Sequence, residues 1–178
     1  VEAFIDDNLS VNECAGRKVL HECDGLSPLI VSIGVNRIRK VVVEKLEAKA
    51  QANGKELQFA TAIHPSAVVS PSAKIGEGTV VMAGAVINPG TTIGNGCIIN
   101  TGATVDHDNI ISDYVHISVG SHLAGTVSVE AGTWIGAGAI VSNNISICEN
   151  CMVGAGAVVV DNLTEPDTYI GVPARRMC

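Results

Sequence analysis

The sequence predicts a mainly β fold, a parallel β-helix of hexapeptide repeats over residues 61–178 that follows a small α/β domain over residues 1–60. A period of six residues runs from Ile63 to Asn162, and glycine or asparagine recurs at one phase of it. Hydrophobic residues make up 47% of the chain but aromatic residues only 3%, so the core must be aliphatic. Before the repeat, the pattern changes to separate strand and helix segments.

The repeat has an inward position at every sixth residue. All seventeen residues at this position are aliphatic, and the residue two before each is mostly small. Side chains two apart on a strand point to the same face, so both positions face the core. Three hexads form a triangular coil of 18 residues, and coils stack ~4.8 Å apart through parallel strand hydrogen bonds. The aliphatic positions are Ile63, Val69, Ile75, Val81, Ile87, Ile93, Ile99, Val105, Ile111, Ile117, Leu123, Val129, Ile135, Val141, Ile147, Val153 and Val159.

Each hexad also has a turn position three residues after the aliphatic one. Glycine, asparagine and aspartate dominate there, and these residues tolerate the left-handed backbone conformations of tight corners. The pattern therefore predicts a sharp corner after each short strand. The corner residues are Gly78, Gly84, Gly90, Gly96, Gly102, Asp108, Gly120, Gly132, Gly138, Asn144, Asn150, Gly156 and Asn162.

The segment before the repeat predicts strands and a helix. Residues 1–7 have the pattern of a strand that ends in a turn, and residues 29–34 that of a buried strand. Asn36 is expected to cap a helix over residues 37–50, which Gly54 terminates. The unit is too short for a complete doubly wound domain and has no Gly-rich phosphate loop after its first strand. Residues near helical spacing are Ile38, Val41, Val42, Lys45 and Leu46.

Composition and charge limit the possible partners. The 11 Lys and Arg residues against 18 Asp and Glu give a net charge of −7, and phosphate backbones repel such an acidic chain, which excludes nucleic acid. No apolar run reaches the ~18 residues of a membrane span, and no signal-peptide pattern opens the chain. A large aliphatic core needs no disulfides, so we expect a cytoplasmic protein with reduced thiols. The cysteines are Cys14, Cys23, Cys97, Cys148, Cys151 and Cys178.

His107 is the first candidate for chemistry. It lies two residues after the inward Val105, so it sits outside at a corner, between Asp106 and Asp108. Gly125 stacks one coil above it and is expected to leave open space beside the imidazole. A carboxylate that accepts from one ring nitrogen raises the basicity of the other, which suits a general base. The alternative is a solvated corner with a surface histidine.

Two more histidines each precede an inward residue by one, so they point outward on consecutive faces of the coil. His116 lies nine residues after His107, so one chain places these two on different faces. A three-fold trimer would bring His107 of one subunit opposite His116 of a neighbour. The alternative for His116 and His122 is that both are ordinary outward polar residues.

Two Gly-Ala-Gly segments, residues 136–138 and 154–156, stack in register on consecutive coils. Small residues there expose backbone amides along a groove that fits a long ligand with amide groups, such as a pantetheine arm. Glycine is equally the ordinary corner residue. Cys148 and Cys151 resemble half a zinc site, but no second pair follows and Cys151 is an inward position, so simple packing is expected.

Motifs along nearly the whole chain carry a resemblance to a known family. The most specific are Val-Asp-His-Asp at 105–108 and His-Ile-Ser-Val-Gly-Ser-His-Leu-Ala-Gly at 116–125. With them, the chain resembles the nucleotide-sugar acetyltransferases of the bacterial PglD/NeuD type. Further matching segments are Phe-Ile-Asp-Asp at 4–7, Ile-Gly-Val-Asn-Arg-Ile-Arg-Lys at 33–40, Ile-His-Pro-Ser-Ala at 63–67 and Ile-Gly-Val-Pro-Ala-Arg-Arg at 170–176.

The resemblance implies a left-handed β-helix, a homotrimer, and acetyl-CoA bound in the groove between neighbouring β-helices, with no metal. His107 matches the catalytic base, and Asp108 matches the acidic residue that raises its basicity. His116 matches a residue near the acetyl thioester. The matches to backbone contacts with coenzyme A are Gly125, Ala137 and Ala155.

The resemblance also implies that the N-terminal unit is partly Rossmann-like and binds a nucleotide sugar. Asp6, Asp7 and Gly34 match contacts to that substrate, although the two aspartates at a strand end are turn formers first. The family opens with a strand and a Gly-rich loop that precede the first residue here. The expected reaction is acetyl transfer to the amino group of a nucleotide-linked sugar, such as a UDP-4-amino-4,6-dideoxy sugar, in bacterial glycan biosynthesis.

Three alternatives remain open from the sequence. O-acetylation of a sialic acid or another sugar needs the same base and the same acetyl donor. A zinc lyase of the γ-carbonic-anhydrase type would use His107, His116 and His122 as ligands, although the spacing places His116 and His122 on different faces. A non-catalytic trimeric binding module is the third.

Overall fold

The computed structural model describes residues 1–23 and 25–177; Asp24 and Cys178, the latter one of the expected free thiols, lie outside them. Cys14, Cys23, Cys97, Cys148 and Cys151 are free thiols. A small sheet and a helix precede the repeat. These elements are β1 (Phe4–Ile5), β2 (Glu13–Cys14), β3 (Arg17–Leu20) and α1 (Asn36–Ala52). In the sheet, the central strand β3 pairs parallel with β1 and antiparallel with β2.

The predicted buried strand over residues 29–34 is wrong. Leu29 forms only an isolated bridge to Phe59, and the Ile30 side chain is 41% exposed. The reason is pairing, because β1 hydrogen-bonds to β3 and no described strand lies beside residues 30–34. The strand and turn expected over residues 1–7 are confirmed by β1 and by Asp6, whose Oδ1 accepts the Asn8 backbone N–H at 2.8 Å.

The helix is present, but its predicted cap and buried face are wrong. Val35 precedes its first turn, which has no side-chain cap. Helix α1 buries Asn36, Arg39 and Val43, whereas the apolar residues expected to pack are partly exposed, as Ile38 (43%) shows. Polar contacts of Asn36 and Arg39 with the β-helix decide which face turns inward. The predicted stop is confirmed by Gly54, which has a φ of +64°.

The rest of the chain forms the predicted parallel β-helix. From β4 to β18, each strand pairs in parallel with the strand three further along, except that β18 meets only Leu163 in an isolated bridge. The strands are β4 (Ala62–Ile63), β5 (Val68–Val69), β6 (Lys74–Ile75), β7 (Val80–Val81), β8 (Val86–Ile87), β9 (Thr92–Ile93), β10 (Ile98–Ile99), β11 (Thr104–Val105), β12 (Ile110–Ile111), β13 (His116–Ile117), β14 (His122–Leu123), β15 (Ser128–Val129), β16 (Trp134–Ile135), β17 (Ile140–Val141), β18 (Ser146–Ile147), β19 (Met152–Val153), β20 (Val158–Val159), β21 (Thr168–Ile170) and β22 (Arg175–Arg176).

These strands make three faces of a triangular prism. The first face runs from β4 through β7, β10, β13, β16 and β19 to β21 and β22; the second runs from β5 to β20, and the third from β6 to β18. Residues 18 apart are therefore in register, so Thr104 lies between Val86 and His122. This register determines which side chains meet at each corner.

The core is the predicted aliphatic ladder. From Val81 to Val159, every sixth residue is at most 2% exposed, and the small residues beside them are as deeply buried, as Ala103 (0%) shows. Ile63 is 47% exposed because it lies in the first coil, which has no coil beneath it. The predicted corners are confirmed by positive φ at most of the expected residues, and Tyr114 (+56°) and Thr126 (+60°) are corners that the pattern missed.

Candidate active site

The His107 corner, residues 106–109, links β11 on the second face to β12 on the third. The backbone N–H of His107 donates to Asp106 Oδ1 at 2.8 Å, and its Nδ1 lies 2.9 Å from Asp108 Oδ2. Asp108 reaches this position because its φ of +57° turns the chain sharply. The hydrogen bond to Asp108 is the main cause that raises the pKa of His107 above its ordinary value. Nδ1 is thus engaged, and Nε2 is the nitrogen that can take up a proton.

Asn109 supports this corner from inside the coil. It is fully buried, and its Nδ2 donates to the carbonyl oxygens of Asp106 (2.6 Å) and Ala124 (3.0 Å). Its Oδ1 accepts the backbone N–H of Val127 at 2.9 Å. One side chain therefore joins the corner to the next coil. The sequence contained a signal for it, because Asn109 is an amide side chain at a position of the repeat that is otherwise filled by small or aliphatic residues.

Gly125 lies directly against the imidazole of His107. A Cβ at this glycine would be 2.5 Å from His107 Nε2 and 2.6 Å from Cε1, distances that no real Cβ contact allows. The imidazole itself therefore fills the space that Gly125 was expected to leave open. Because Gly125 has no Cβ, the imidazole can lie close against the next coil, which limits the directions that Nε2 can face.

A shallow cleft of about 310 Å³ opens on the second face beside the His107 corner. Its polar lining includes Asn88, Thr104, Asp106 and His122. Asn88 Nδ2 donates to Asp106 Oδ1 at 2.8 Å, which lowers the pKa of that carboxyl, and Thr104 Oγ1 lies 2.9 Å from His122 Nδ1. Sequence reasoning missed Asn88 and Thr104, although the 18-residue register that places Gly125 beside His107 also places them beside Asp106 and His122.

His116, on the first face, is almost completely buried at 6% exposure. Its ring stacks on Trp134 with centroids 4.8 Å apart, and its Nε2 lies 3.1 Å from Asn100 Nδ2. Asn100 Oδ1 accepts the N–H of Thr101 at 2.8 Å, so the Asn100 NH₂ group faces the ring. His116 Nε2 must then accept, which leaves the ring hydrogen on Nδ1.

The surroundings of His116 keep it neutral. Burial, followed by the charge of Arg39, lowers the pKa of His116 to about 4. The Gly34 backbone lies near enough to oppose this effect, although no group among residues 1–23 and 25–177 forms a well-aligned hydrogen bond with Nδ1. A neutral ring whose Nε2 accepts cannot donate from that nitrogen to an oxyanion. His116 is therefore not suited to be an oxyanion donor through Nε2 within one chain.

The expected metal ligands lie apart in a single chain. His107 is at a corner, His116 on the first face and His122 on the second. Within residues 1–23 and 25–177, no three His, Cys, Asp or Glu side chains are grouped closely enough to hold a metal ion. The Sγ atoms of Cys148 and Cys151 are 3.4 Å apart, and Cys151 is buried, as simple packing requires.

The two Gly-Ala-Gly segments form a corner between the first and second faces. Their register is confirmed by the Gly156 N–H, which donates to the Ala137 carbonyl at 2.8 Å. Ala137 and Ala155 are both exposed there. His107 and Gly125 lie at the next corner, between the second and third faces. One chain therefore brings Gly125 beside the expected base but keeps Ala137 and Ala155 at a different corner.

The three residues expected to contact the nucleotide sugar directly follow, in sequence, residues that line one cavity. This cavity of about 180 Å³ is lined by Ile5 and by residues 29–33, with side chains from α1. Asp6 and Asp7 follow Ile5, and Gly34 follows Ile33. Both aspartates are exposed, and Asp6 also forms its predicted turn. The cavity therefore lies between Ile5 and residues 29–33, two parts of the chain that are far apart in sequence.

Comparison with known proteins identifies the family. Residues 72–107 match the family of bacterial transferase hexapeptide repeats. The acetyltransferase domain of PglB from Neisseria gonorrhoeae superposes with a TM-score of 0.88 at 37% identity, covering 98% of this chain and 86% of that one. PerB from Caulobacter crescentus, solved with CoA and GDP-perosamine, superposes with a TM-score of 0.83 at 42% identity, covering 94% and 82%. The chain belongs to the PglD/NeuD-type family of sugar acetyltransferases.

Family membership confirms the predicted resemblance, the left-handed β-helix fold and the enzyme class. A segment of 54 residues is also 50% identical to the UDP-N-acetylbacillosamine N-acetyltransferase of Bacillus subtilis; it spans 30% of this chain and 22% of that enzyme. The Neisseria domain has also been solved in complex with acetyl coenzyme A. In the part of this chain that the structure describes, no helix is both long and apolar enough to cross a membrane.

Proposed function

We propose that this protein transfers the acetyl group of acetyl-CoA to the amino group of a nucleotide-linked amino sugar, with His107 as general base and Asp108 as its partner. The observation that carries this proposal is the Nδ1–Oδ2 hydrogen bond of 2.9 Å beside Gly125. It leaves Nε2 available, raises the basicity of the ring and holds it in one orientation. Relatives that span almost the whole chain are N-acetyltransferases by name or were solved with acetyl-CoA or CoA.

The proposed reaction needs two proton transfers and the exchange of a C–S bond for a C–N bond. The sugar amine attacks the thioester carbonyl while His107 Nε2 removes a proton from its nitrogen. The C–N bond forms, the C–S bond breaks, and the proton passes from His107 to the departing thiolate of coenzyme A. Backbone amides remain the proposed donors to the tetrahedral oxyanion, because the neutral His116 cannot donate from Nε2.

A homotrimer would complete this site. We place coenzyme A against Ala137 and Ala155 of one subunit and beside Gly125 and His107 of its neighbour, since these residues lie at two different corners of one chain. His116 stays in the proposal as a neutral, nearly buried group close to the acetyl end of the cofactor. Both substrates are cytoplasmic metabolites, so we also propose a cytoplasmic location.

The nucleotide part of the substrate is proposed to bind at the N-terminal unit. Asp6, Asp7 and Gly34 directly follow Ile5 and Ile33, which line one cavity, and the first turn of α1 has neither a side-chain cap nor an acidic residue. Uncapped backbone N–H groups at a helix start favour phosphate oxygens, which a nucleotide sugar supplies. The sugar would then extend toward the cleft beside the His107 corner.

The test measures thiol release from acetyl-CoA with UDP-, GDP- and CMP-linked amino sugars. We expect one nucleotide amino sugar to support turnover and His107→Ala to lower kcat by about 10²–10⁴-fold while the fold is retained. His64→Ala, at an exposed histidine on the first coil, is the matched control and should keep full activity. Near-normal turnover by His107→Ala would overturn the assignment, and faster transfer to a sialic acid hydroxyl would favour O-acetylation instead.

A further inference from the structure

Arg39 is buried at 1% exposure between α1 and the β-helix. Its Nε donates to the Gly96 carbonyl at 2.7 Å, and its Nη2 donates to the Tyr114 carbonyl at 3.2 Å. These two acceptors belong to corners of consecutive coils, because Gly96 and Tyr114 are 18 residues apart. One half of the guanidinium is therefore bound to the rigid repeat.

The other half of the guanidinium holds the docking loop, residues 33–36. Nη1 donates to the carbonyl oxygens of Ile33 (2.8 Å) and Gly34 (3.2 Å), and Nη2 donates to Asn36 Oδ1 at 2.9 Å. Ile33 lines the same cavity as Ile5, and Gly34 directly follows Ile33 in the chain. Arg39 thus connects the loop to the β-helix through a single planar group.

Burial of the Arg39 guanidinium costs free energy unless each of its N–H groups forms a hydrogen bond. Burial lowers the pKa of its guanidinium, and within residues 1–23 and 25–177 no carboxylate pairs with it. A buried cation that bonds only to carbonyl and amide oxygens contributes little net stability, because desolvation offsets those bonds. An arrangement with this desolvation cost is expected where the hydrogen bonds hold a loop in one position.

Two neighbours strengthen the same connection. Asn36 Nδ2 donates to the carbonyl oxygens of Gly132 (3.0 Å) and Thr133 (3.1 Å), on the coil that follows Tyr114. The Gly34 backbone lies close to His116, whose pKa Arg39 also lowers. Arg39 and Asn36 together therefore link the docking loop to three consecutive corners, and the loop lies near the neutral histidine of the first face.

We propose that Arg39 is a positioning residue for the nucleotide-sugar substrate: it holds the Ile33 and Gly34 carbonyls at a set place on the β-helix. This inference rests on the proposed function, because Gly34 is taken as a substrate contact. Only arginine has five N–H donors in one plane, so lysine cannot hold the loop and both coils at once. Arg39 touches neither reacting group and acts through the loop.

The experiment compares Arg39→Lys with Arg37→Lys, the same change at an exposed position of α1. Arg39→Lys should raise KM for the nucleotide sugar by about tenfold or more, because a small misplacement of a binding loop is costly, while KM for acetyl-CoA stays within about twofold. Arg37→Lys should change neither constant. An unchanged nucleotide-sugar KM, or an equal rise in both KM values, would overturn the proposal.

Two further measurements separate positioning from a general loss of structure. Methylguanidinium added to Arg39→Ala should restore the nucleotide-sugar KM, since it replaces the missing donors in the vacated space. Amide hydrogen exchange should increase at residues 33–36 in Arg39→Lys but not at β10 or β13. If the wild type acetylates no nucleotide amino sugar, the proposed function fails, whereas an unchanged exchange rate at the docking loop contradicts the role of Arg39 itself.

Discussion

At the scale of single residues, two neighbours control the His107 imidazole. Asp108 engages Nδ1 and raises the pKa of the ring, while Gly125 leaves room for the ring because it has no Cβ. The sequence predicted both neighbours, because one is adjacent in the chain and the other is 18 residues away. It missed Asn109, whose amide joins the corner to the next coil, and Asn88, which the same 18-residue register places beside Asp106.

Asp108→Asn should change the pH profile of acetyl transfer. The hydrogen bond to Asp108 raises the pKa of His107, so the acid limb of kcat/KM lies at higher pH than for a histidine without this partner. Removal of the charge should lower the pKa of His107, move that limb to lower pH and reduce the plateau, because a weaker base accepts the proton less readily. A limb that stays in place would show that Asp108 does not act on the base.

Gly125→Ala should impair catalysis without unfolding the protein. The added methyl group would lie 2.5 Å from His107 Nε2, so the ring must turn away from its position. We expect kcat/KM to fall by about 10–100-fold with little change in the melting temperature, since Gly125 does not have a positive φ. Ala124→Gly, at the preceding residue, serves as the control. Full activity in Gly125→Ala would mean that the packed ring position is not the reactive one.

At the scale of elements, the repeat pattern predicted the strands well and the N-terminal unit poorly. Each two-residue strand is determined by its own hexad, since the aliphatic residue must enter the core and the corner must follow. The contacts of α1 depend instead on residues 96, 114 and 132, far along the chain. A local pattern contains no information about such partners, so it assigned the wrong face to the helix.

Ile99→Ala should destabilise the protein much more than Ile63→Ala. Ile99 is fully buried between Val81 and Ile117 in the first face, so the truncation leaves a cavity and should cost about 2–5 kcal/mol. Ile63, 47% exposed in the end coil, should cost less than ~1 kcal/mol. Denaturant unfolding followed by circular dichroism measures both values. Equal losses would contradict a core that is continuous across the central coils and frayed at its first coil.

At the scale of the whole molecule, the proposed site is divided between two corners of the prism. The expected base lies at one corner, and Ala137 and Ala155 at another. A single chain keeps the corners apart, since one face of parallel strands lies between them. The homotrimer inferred from the family resemblance would bring the corners of two subunits together.

Co-expression of two inactive variants tests this arrangement. His107→Ala removes the base, and Ala155→Trp should block the coenzyme groove at an exposed position. If each site takes its base from one subunit and its groove from the next, random mixing should recover about a quarter of the wild-type activity. Sites built within one chain would recover none. Analytical ultracentrifugation of the mixture provides the control, because both variants must still assemble.

The sequence by itself determined the architecture, since a period of six with inward aliphatic residues and turn-forming corners leaves few other ways to bury the core. It also determined the neighbourhood of His107, because the 18-residue register follows from the same period. Only the tertiary structure decided that His116 is buried and neutral, and that Arg39 ties the docking loop to two corners while Asn36 ties it to a third. Those features depend on how α1 packs against the corner between the third and first faces, and packing between distant segments follows from shape and hydrogen bonding rather than from any local period.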